Sequence, residues 1–273
     1  MAIKTILVHL ADDQDCPTRL ATAVRLAKRH GAHLVALYIT RPLDLPIEVA
    51  GRAASLPFLE ERAAKAEAVA AAVEAEFRGA CERQNLTYDW IMQESDHLDA
   101  LSQHAHAAGL IVVSRGPDEH FEDRFRLRVA EELVMATGLP ILALPPGLPA
   151  VEIGRRVLVG WKPTREAVRA LRDARPILAR AQAVFLTTVR PTSEDAVATL
   201  EIQQYLERHG IPIQTLDVDE AAGGIGPTLL ATAETHACDL LVTGAYGHNR
   251  LREMNLGGVT RQLVRQSRLP LLL

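Results

Sequence analysis

An internal repeat constrains the fold of this chain more than any other feature. The stretch LLVTGAYGHNRLREMNLGGVTRQLVRQSRLPLL, beginning at Leu240, aligns without a gap on LIVVSRGPDEHFEDRFRLRVAEELVMATGLPIL, beginning at Leu110. Apolar residues and a proline recur at matched positions, as in Val129, Leu133, Val134 and Pro140 against Val259, Leu263, Val264 and Pro270. The repeat predicts two tandem copies of one structural unit.

The boundary between the copies is predicted in PPGLPAVEIG, at 145–154, because proline and glycine concentrate where ordered elements end. We therefore divide the chain into a first copy at 1–147 and a second copy at 153–273. The copies differ mainly at 41–58, an insertion whose prolines predict an ordered loop with a helical turn. The sequence does not indicate a role for this insertion.

Within each copy, short apolar runs rich in β-branched residues alternate with longer helical patterns. The first copy offers ILVHL at 6–10, HLVALYI at 33–39, YDWIM, LIVVS and PILAL, with a long helix predicted at 58–84. Continuous apolar runs such as LIVV are typical of parallel strands covered on both faces. The pattern predicts an α/β fold with a parallel five-stranded sheet in each copy.

Composition and charge exclude several classes of function. A net charge of −4 provides no basic surface of the kind that nucleic-acid binding requires, so no nucleic acid is expected as a partner. The sequence contains no run of 18 apolar residues, and its first residues do not show the pattern of a signal peptide, so we expect a cytoplasmic protein without a membrane span. The widely spaced Cys16, Cys81 and Cys238 fit neither a disulfide nor a metal pattern and are predicted to be buried thiols.

A glycine-rich loop in the second copy is the strongest candidate for a ligand site. Gly244 and Gly247 follow the apolar run LLVT, and Gly257 and Gly258 open the last predicted helix. Unpaired backbone N–H groups and the helix dipole favour an anion at such a helix start, and ligands of open parallel sheets bind at the carboxyl ends of strands. Alternatively, the glycines only form a tight turn and a cap.

The spacing of these residues resembles the signature Gly-x2-Gly-x9-Gly-[Ser/Thr] of the universal stress protein family, and the paired copies resemble its tandem members. The resemblance extends over nearly the whole chain. It implies two tandem doubly wound, Rossmann-like domains of the adenine nucleotide alpha hydrolase-like kind. In the nucleotide-binding members, this loop holds the phosphates of ATP, and an acid at the end of strand 1 lies near the adenosine.

The first copy departs from this pattern. Ser114, Pro117, Leu127 and Arg128 stand where the signature has glycines and a hydroxyl residue. Proline removes a backbone donor, and the other side chains crowd the points where a phosphate would approach. Ala11 or Asp12 falls at the position of the family's acid, depending on a shift of one residue. We do not expect the first copy to bind a nucleotide.

The second copy keeps the site in part. Gly258 replaces the hydroxyl residue, while Thr260 lies two residues further on. Lys162 occupies the acid position and cannot accept a hydrogen bond, so it either contacts phosphate or is a solvated turn residue. His248, Asn249, Arg250 and Arg252 either reach phosphates or face water. The predicted binding residues are Gly244, Gly247, Gly257, Gly258, Thr260 and Lys162.

Because the strand and the helix recur in the first copy without these glycines, we infer that the glycines are not required merely to build the fold, which favours a ligand over a bare turn. The predicted ligand is ATP, with Mg²⁺, or a related adenine nucleotide.

Thr164 is predicted to be a helix N-cap. His97 and His104, seven apart, share a helix face and form a weak candidate metal site, with surface histidines as the alternative. His106 and His236 recur at one position, which favours a packing or capping role.

Three functions are open at this point. The first is a regulatory or binding protein of the stress response, and the second is an interaction module that binds no nucleotide. The third, a nucleotide hydrolase or transferase, lacks a recognisable base or metal carboxylate at the loop. The resemblance also implies that the last strands, PILAL and PLLL, pair within the chain as a pseudo-dimer. Chain-to-chain dimerisation and an unidentified protein partner are further possibilities.

Overall fold

A computed structural model of the chain describes residues 2–40, 56–115, 130, 132–149, 151–245 and 258–273. The first copy contains β1 (Thr5–Leu10), α1 (Cys16–His30), β2 (His33–Thr40), α2 (Leu56–Arg83), β3 (Tyr88–Glu94), α3 (His97–His104), β4 (Leu110–Ser114), α4 (132–137) and β5 (Ile141–Leu144). The second copy contains β6 (Arg156–Gly160), α5 (Arg165–Leu178), β7 (Ala183–Val189), α6 (Ser193–Arg208), β8 (Ile213–Val218), α7 (Ile225–Thr235), β9 (Leu240–Thr243), α8 (Gly258–Gln266) and β10 (Leu271–Leu272).

The ten strands form one sheet in the order β3-β2-β1-β4-β5-β10-β9-β6-β7-β8. Pairing is parallel within each half and antiparallel only where β5 meets β10, with Leu271 opposite Ala143 and Leu272 opposite Leu142. The predicted pairing of the last strands within one chain is thus confirmed. It places the two copies back to back around a local pseudo-twofold axis.

The strands are buried because helices cover both faces of the sheet, which makes each copy doubly wound. Alternate residues of β1 enter opposite core layers: Ile6, Val8 and Leu10 pack on one face, and Leu7 packs on the other. Each layer contains residues of both copies, as Val157 and Leu158 of β6 show. The copies therefore share their hydrophobic core.

Most predicted boundaries agree with the structure, with one difference at the insertion. Residues 41–55 lie outside the described part of the chain, whereas Leu56 already begins α2. The last residues of the predicted loop at 41–58 are therefore helical. In the described part of the chain, no helix is both long and apolar enough to cross a membrane. All three cysteines are buried free thiols, as predicted.

Two arginines join the ends of the first helices of the two copies. Arg29, in the last turn of α1, donates from Nη2 to the carbonyl oxygen of Arg180 at 2.6 Å. Arg180, which follows α5, donates from Nε to the carbonyl oxygen of Arg29 at 3.1 Å. Arg29 also donates to the carbonyl oxygens of Ile153 and Gly154 in the connection between the copies. Helix C-termini attract cations, so this reciprocal arrangement stabilises the contact between the copies.

The same arginines affect a buried histidine at the end of α1. His30 is 6% exposed, and neither of its ring nitrogens has a hydrogen-bond partner in the part of the chain that the structure describes. Burial lowers the pKa of His30 from 6.5 to about 4, and the charges of Arg180 and Arg29 add to this effect. His30 is therefore neutral in the folded protein at pH 7.

We predict that acid destabilises the protein through His30. Its lowered folded-state pKa means that the unfolded chain binds the proton more readily, so stability is lost as pH falls from 6.5 towards 4. His30→Leu is expected to remove about 2 kcal/mol of the loss between pH 7.5 and 5, measured by urea unfolding. His106→Leu, at an exposed position, is the matched control. An unchanged pH slope in His30→Leu would contradict this prediction.

Candidate functional site

The candidate site lies at the carboxyl ends of β6 and β9, two neighbouring parallel strands of the second copy. Gly160 at the end of β6 is paired with Thr243 at the end of β9. Thr164 caps α5 by accepting a hydrogen bond from the Ala167 N–H at 3.3 Å, as predicted. The start of α8 belongs to the same end of the sheet, because the loop after β9 leads into it. This is the edge at which open parallel sheets bind ligands.

Lys162 follows β6 and is exposed. Its carbonyl oxygen accepts a hydrogen bond from the Thr164 N–H at 2.7 Å, which forms a tight turn ahead of α5. Hydrogen bonds from the backbone and side chain of Thr192 lower the pKa of Asp195, and the charge of Lys162 adds to this effect. Lys162 is therefore an exposed cation ahead of α5, near enough to the start of α6 to influence Asp195.

The sheet register decides which residue of the first copy corresponds to Lys162. Ile6 pairs with Leu110 and Val157 pairs with Leu240, and the repeat makes Leu110 and Leu240 equivalent. Ile6 therefore matches Val157, and counting along both chains places Ala11, not Asp12, opposite Lys162. Neither copy therefore has a carboxylate at the position where the resemblance to universal stress proteins implies an acid.

Gly244 has a packing role that the sequence did not reveal. A Cβ atom at Gly244 would lie 2.7 Å from the backbone nitrogen of Ala167 and 2.8 Å from the carbonyl carbon of Glu166. The first turn of α5 approaches the end of β9 so closely that a side chain does not fit. For Gly244, the inference that the glycines do not serve the fold is wrong. Its assignment as a ligand contact stays a prediction.

Two residues in the first turn of α8, Thr260 and Gly258, differ in exposure. Thr260 is 5% exposed, and its hydroxyl donates to the carbonyl oxygen of Gly244 at 3.4 Å. Thr260 thus ties α8 to the end of β9 instead of facing the site. Gly258, the first residue of α8, is exposed, and a Cβ atom there would meet none of the described residues within 4 Å. The described part of the chain thus leaves the N–H end of this helix uncovered.

Other predicted residues of the loop cannot be placed. Gly247 and Gly257 lie outside the described residues, as do His248, Asn249, Arg250 and Arg252.

Three buried polar groups near the ends of β6 and β7 were missed by sequence reasoning. Trp161 Nε1, Thr187 Oγ1 and Thr188 Oγ1 have no hydrogen-bond partner within the described residues. Trp161 and Thr187 are neighbours, since the Trp161 N–H donates to the Thr187 carbonyl oxygen at 2.8 Å. Buried polar groups without partners are costly and mark places where water or a ligand binds. Threonines within an apolar strand run are the only sequence signal for them.

The corresponding end of the first copy is filled by its own side chains. Buried Arg19 donates to both carboxylate oxygens of Asp13, at 3.1 and 2.7 Å, and to the carbonyl oxygen of His9 at 2.7 Å. His9 Nε2 lies 2.9 Å from His97 Nδ1. The cavity that remains has a volume of only about 20 Å³. Among the described residues this cavity is too small for a nucleotide, which adds a steric reason to the loss of the glycine loop.

The proposed pairing of His97 with His104 is not what the structure shows. His97 pairs with His9, whereas His104 Nε2 lies 2.9 Å from Oε1 of Gln93. Across the described residues, no group of three or more His, Cys, Asp or Glu side chains is arranged to hold a metal ion. The ring of His236 packs on Phe185 with centroids 4.6 Å apart, which agrees with a packing role.

We predict opposite effects for two glycine substitutions at this site. Gly244→Ala is expected to cost about 1–3 kcal/mol of unfolding free energy, because its Cβ overlaps the backbone of α5. Gly258→Ala is expected to leave stability unchanged or to raise it by about 0.5 kcal/mol, since alanine favours a helix and its Cβ meets open space. Urea denaturation of both variants measures the difference. Equal stabilities would show that the close approach at Gly244 is incorrect.

Comparisons with known proteins match both the fold and the repeat. The model of the universal stress protein family matches residues 2–145 and again residues 154–273. Universal stress protein Slr1230 of Synechocystis sp. is 33% identical over 92 residues, which span 33% of this chain and 31% of that relative. The chain thus covers about a third of the length of that curated relative.

Solved structures extend the likeness of the fold to the whole chain. A universal stress protein from Archaeoglobus fulgidus DSM 4304 superposes with a TM-score of 0.76, covering 98% of this chain and 94% of its own, at 16% identity. A putative universal stress protein from Pseudomonas aeruginosa UCBPP-PA14 covers 99% of this chain and 92% of its own, with a TM-score of 0.61 and 17% identity. With the family model matching each half in turn, this chain belongs to the universal stress protein family as a tandem member with two copies of the domain.

Proposed function

We propose that the second copy binds ATP or a related adenine nucleotide and that the protein acts as a regulatory binding protein of the stress response. The observation that carries the proposal is the contrast between the copies. Side chains fill the strand ends of the first copy, whereas α8 of the second copy starts at the exposed Gly258, where an added Cβ atom would meet no described residue within 4 Å. A cytoplasmic location belongs to the same proposal.

The electrostatics of this end of the sheet favour the phosphate portion of a nucleotide. The start of α8 presents N–H groups and the positive end of the helix dipole. Lys162 adds an exposed positive charge at the end of β6. We assign phosphate contacts to Gly258 and Lys162 and, in the loop, to Gly247 and Gly257. Thr260 and Gly244 support the site by packing, since Thr260 is buried and bonded to Gly244.

The adenosine end of the ligand has to be held without the family's acid. Trp161 Nε1 and Thr188 Oγ1 are buried polar groups that lack partners among the described residues, and alternation along β7 places Thr188 on the face of the sheet to which Trp161 belongs. They offer hydrogen bonds close to the end of β6, where the signature acid would otherwise act. Mg²⁺ would enter with the phosphates, because the described residues provide no carboxylate cluster of their own to hold it.

An interaction module without a nucleotide is the second candidate. The observation that favours it is the absence of a carboxylate from the acid position in both copies, where Ala11 and Lys162 stand. A catalytic function is the least supported of the three. The described part of the site contains no paired nucleophile and base.

Calorimetric titration with ATP and ADP, with and without Mg²⁺, tests nucleotide binding. Gly258→Glu is the sharpest variant, because a carboxylate at the first residue of α8 suits the helix dipole yet repels phosphate. We expect it to weaken binding by at least about tenfold without loss of stability. Gly258→Gln, which has the same size and no charge, is expected to weaken binding less.

Lys162→Gln tests the second assigned contact. Loss of an exposed charge facing phosphate is expected to weaken binding about threefold to tenfold. Arg172→Gln, an exposed position on α5, serves as the control for charge and is expected to bind as the wild type does. Absence of heat and of a thermal shift at millimolar ATP would reject nucleotide binding and leave the interaction module.

Phosphate release from ATP tests the hydrolase separately. We expect the wild-type protein and Gly258→Glu to release phosphate at the same background rate. A rate that falls with the loss of binding in Gly258→Glu would instead indicate turnover at this site.

A further inference from the structure

A groove remote from the proposed nucleotide site runs between α1, α2 and the connection between the two copies. We call it the interdomain groove, and its volume is about 660 Å³. Residues of both copies and of the connection between them line the groove. They lie in Pro17 to Arg29 of α1, Glu76 to Gln84 of α2 and Val151 to Arg155 of the connection, together with Arg180 and Gln182 of the second copy. Pockets for small organic ligands have volumes of about 300–1,000 Å³.

Aliphatic side chains form much of the wall of the interdomain groove. Leu20 and Val24 of α1, Ala80 of α2, and Val151 and Ile153 of the connection all line it. Val151 is 43% exposed, so part of this apolar surface is open to solvent. None of the described lining residues is aromatic. The wall therefore suits an aliphatic chain better than a base or an aromatic ring, which would gain from stacking.

The charges that line the interdomain groove are strongly unbalanced. The whole chain carries a net charge of −4. The groove is nevertheless lined by six cationic side chains: Arg25, Lys28, Arg29, Arg83, Arg155 and Arg180. Only two lining carboxylates, Glu76 and Glu152, oppose them. A local positive excess in an acidic protein attracts anionic ligands.

Most of the hydrogen bonds that hold these cations do not neutralise them. Arg25 Nη1 donates to the carbonyl oxygen of Val151 at 3.0 Å, and Lys28 Nζ donates to that of Gln84 at 2.9 Å. Arg29 likewise bonds only backbone carbonyl oxygens among the described residues. Carbonyl groups fix the positions of the cations but leave their charges in place. Among the lining residues, Arg155 does form an ion pair with Glu152, at 3.0 Å.

We propose that the interdomain groove binds an organic anion with an aliphatic body, such as an acyl-chain carboxylate. The aliphatic wall receives the chain, and the uncompensated cations at its margin receive the carboxylate. Because the lining includes α1 and α2 of the first copy and Arg180 of the second, the bound anion contacts both copies. This ligand is independent of the proposed nucleotide, which occupies the carboxyl ends of β6 and β9.

The pKa values around the groove agree with its positive charge. Burial lowers the pKa of Arg29, and repulsion from Arg180 and Arg155 adds to this in spite of Glu152 and Asp239. Burial also lowers the pKa of His30, with Arg180 and Arg29 contributing. A carboxylate near these arginines would offset their field.

Calorimetric titration with dodecanoate, kept below its critical micelle concentration, tests the proposal. We expect saturable binding of dodecanoate, with acetate and dodecyltrimethylammonium binding at least about tenfold more weakly, because each lacks either the chain or the negative charge. Equal binding of all three probes, or no binding, would overturn the proposal.

Paired variants locate the site. Lys28→Gln with Arg83→Gln removes two exposed charges from the groove and is expected to weaken dodecanoate binding about tenfold. Arg172→Gln with Arg208→Gln, at exposed positions of the second copy, makes the same change in net charge and is expected to have no effect. Ala80→Phe, which fills the groove without altering charge, is expected to weaken binding as well. Unaltered binding in both groove variants would place the ligand elsewhere.

Discussion

The structure depends on the antiparallel pairing of β5 with β10. Ile141 and Leu273 exchange two backbone hydrogen bonds, of 3.1 and 3.0 Å, across this junction. Without it, each five-stranded half would expose an edge of unpaired backbone groups beside its most apolar strands. With it, both core layers continue from one copy into the other. The two copies consequently share one hydrophobic core and do not form two separate globular domains.

This junction allows the copies to have different roles. In the first copy, the Asp13–Arg19 ion pair and the His9–His97 contact occupy the strand ends where the family signature predicts a ligand. Arg115, at the position matching Ala245, reaches across and donates to the carbonyl oxygens of Val264 and Ser267 at the end of α8. A cation there complements the negative end of the helix dipole. The first copy thereby supports the helix whose opposite end presents Gly258 in the proposed site.

Periodicity and repetition in the sequence predict much of the fold. The repeat, the parallel strands, the α2 segment and the terminal strand pairing follow from residues that must be buried in a regular pattern. A feature that depends on a single close contact has no such pattern. Gly244 looked dispensable to the fold because its counterpart Ser114 is not glycine, yet α5 approaches the second copy too closely for a side chain.

The candidate site also contains features that local sequence patterns do not determine. Two alignments, one residue apart, match Lys162 with Ala11 or with Asp12. Only the hydrogen-bond register of β1 and β6 distinguishes between them. His97 was grouped with His104 by helical spacing, but its partner His9 is 88 residues away in the chain. Contacts between distant segments leave no local pattern, so spacing along the sequence cannot reveal them.

The amino-acid sequence by itself determined the fold class, the division into two copies and the family. These depend on apolar periodicity and on a glycine spacing, and both are visible within short segments of the sequence. The tertiary structure decided that side chains fill the strand ends of the first copy, since that depends on where Arg19, Asp13 and His9 meet. It also decided that cations from both copies line one groove. The physical reason is that steric exclusion and charge accumulation arise between elements brought together by the sheet, not within any one of them.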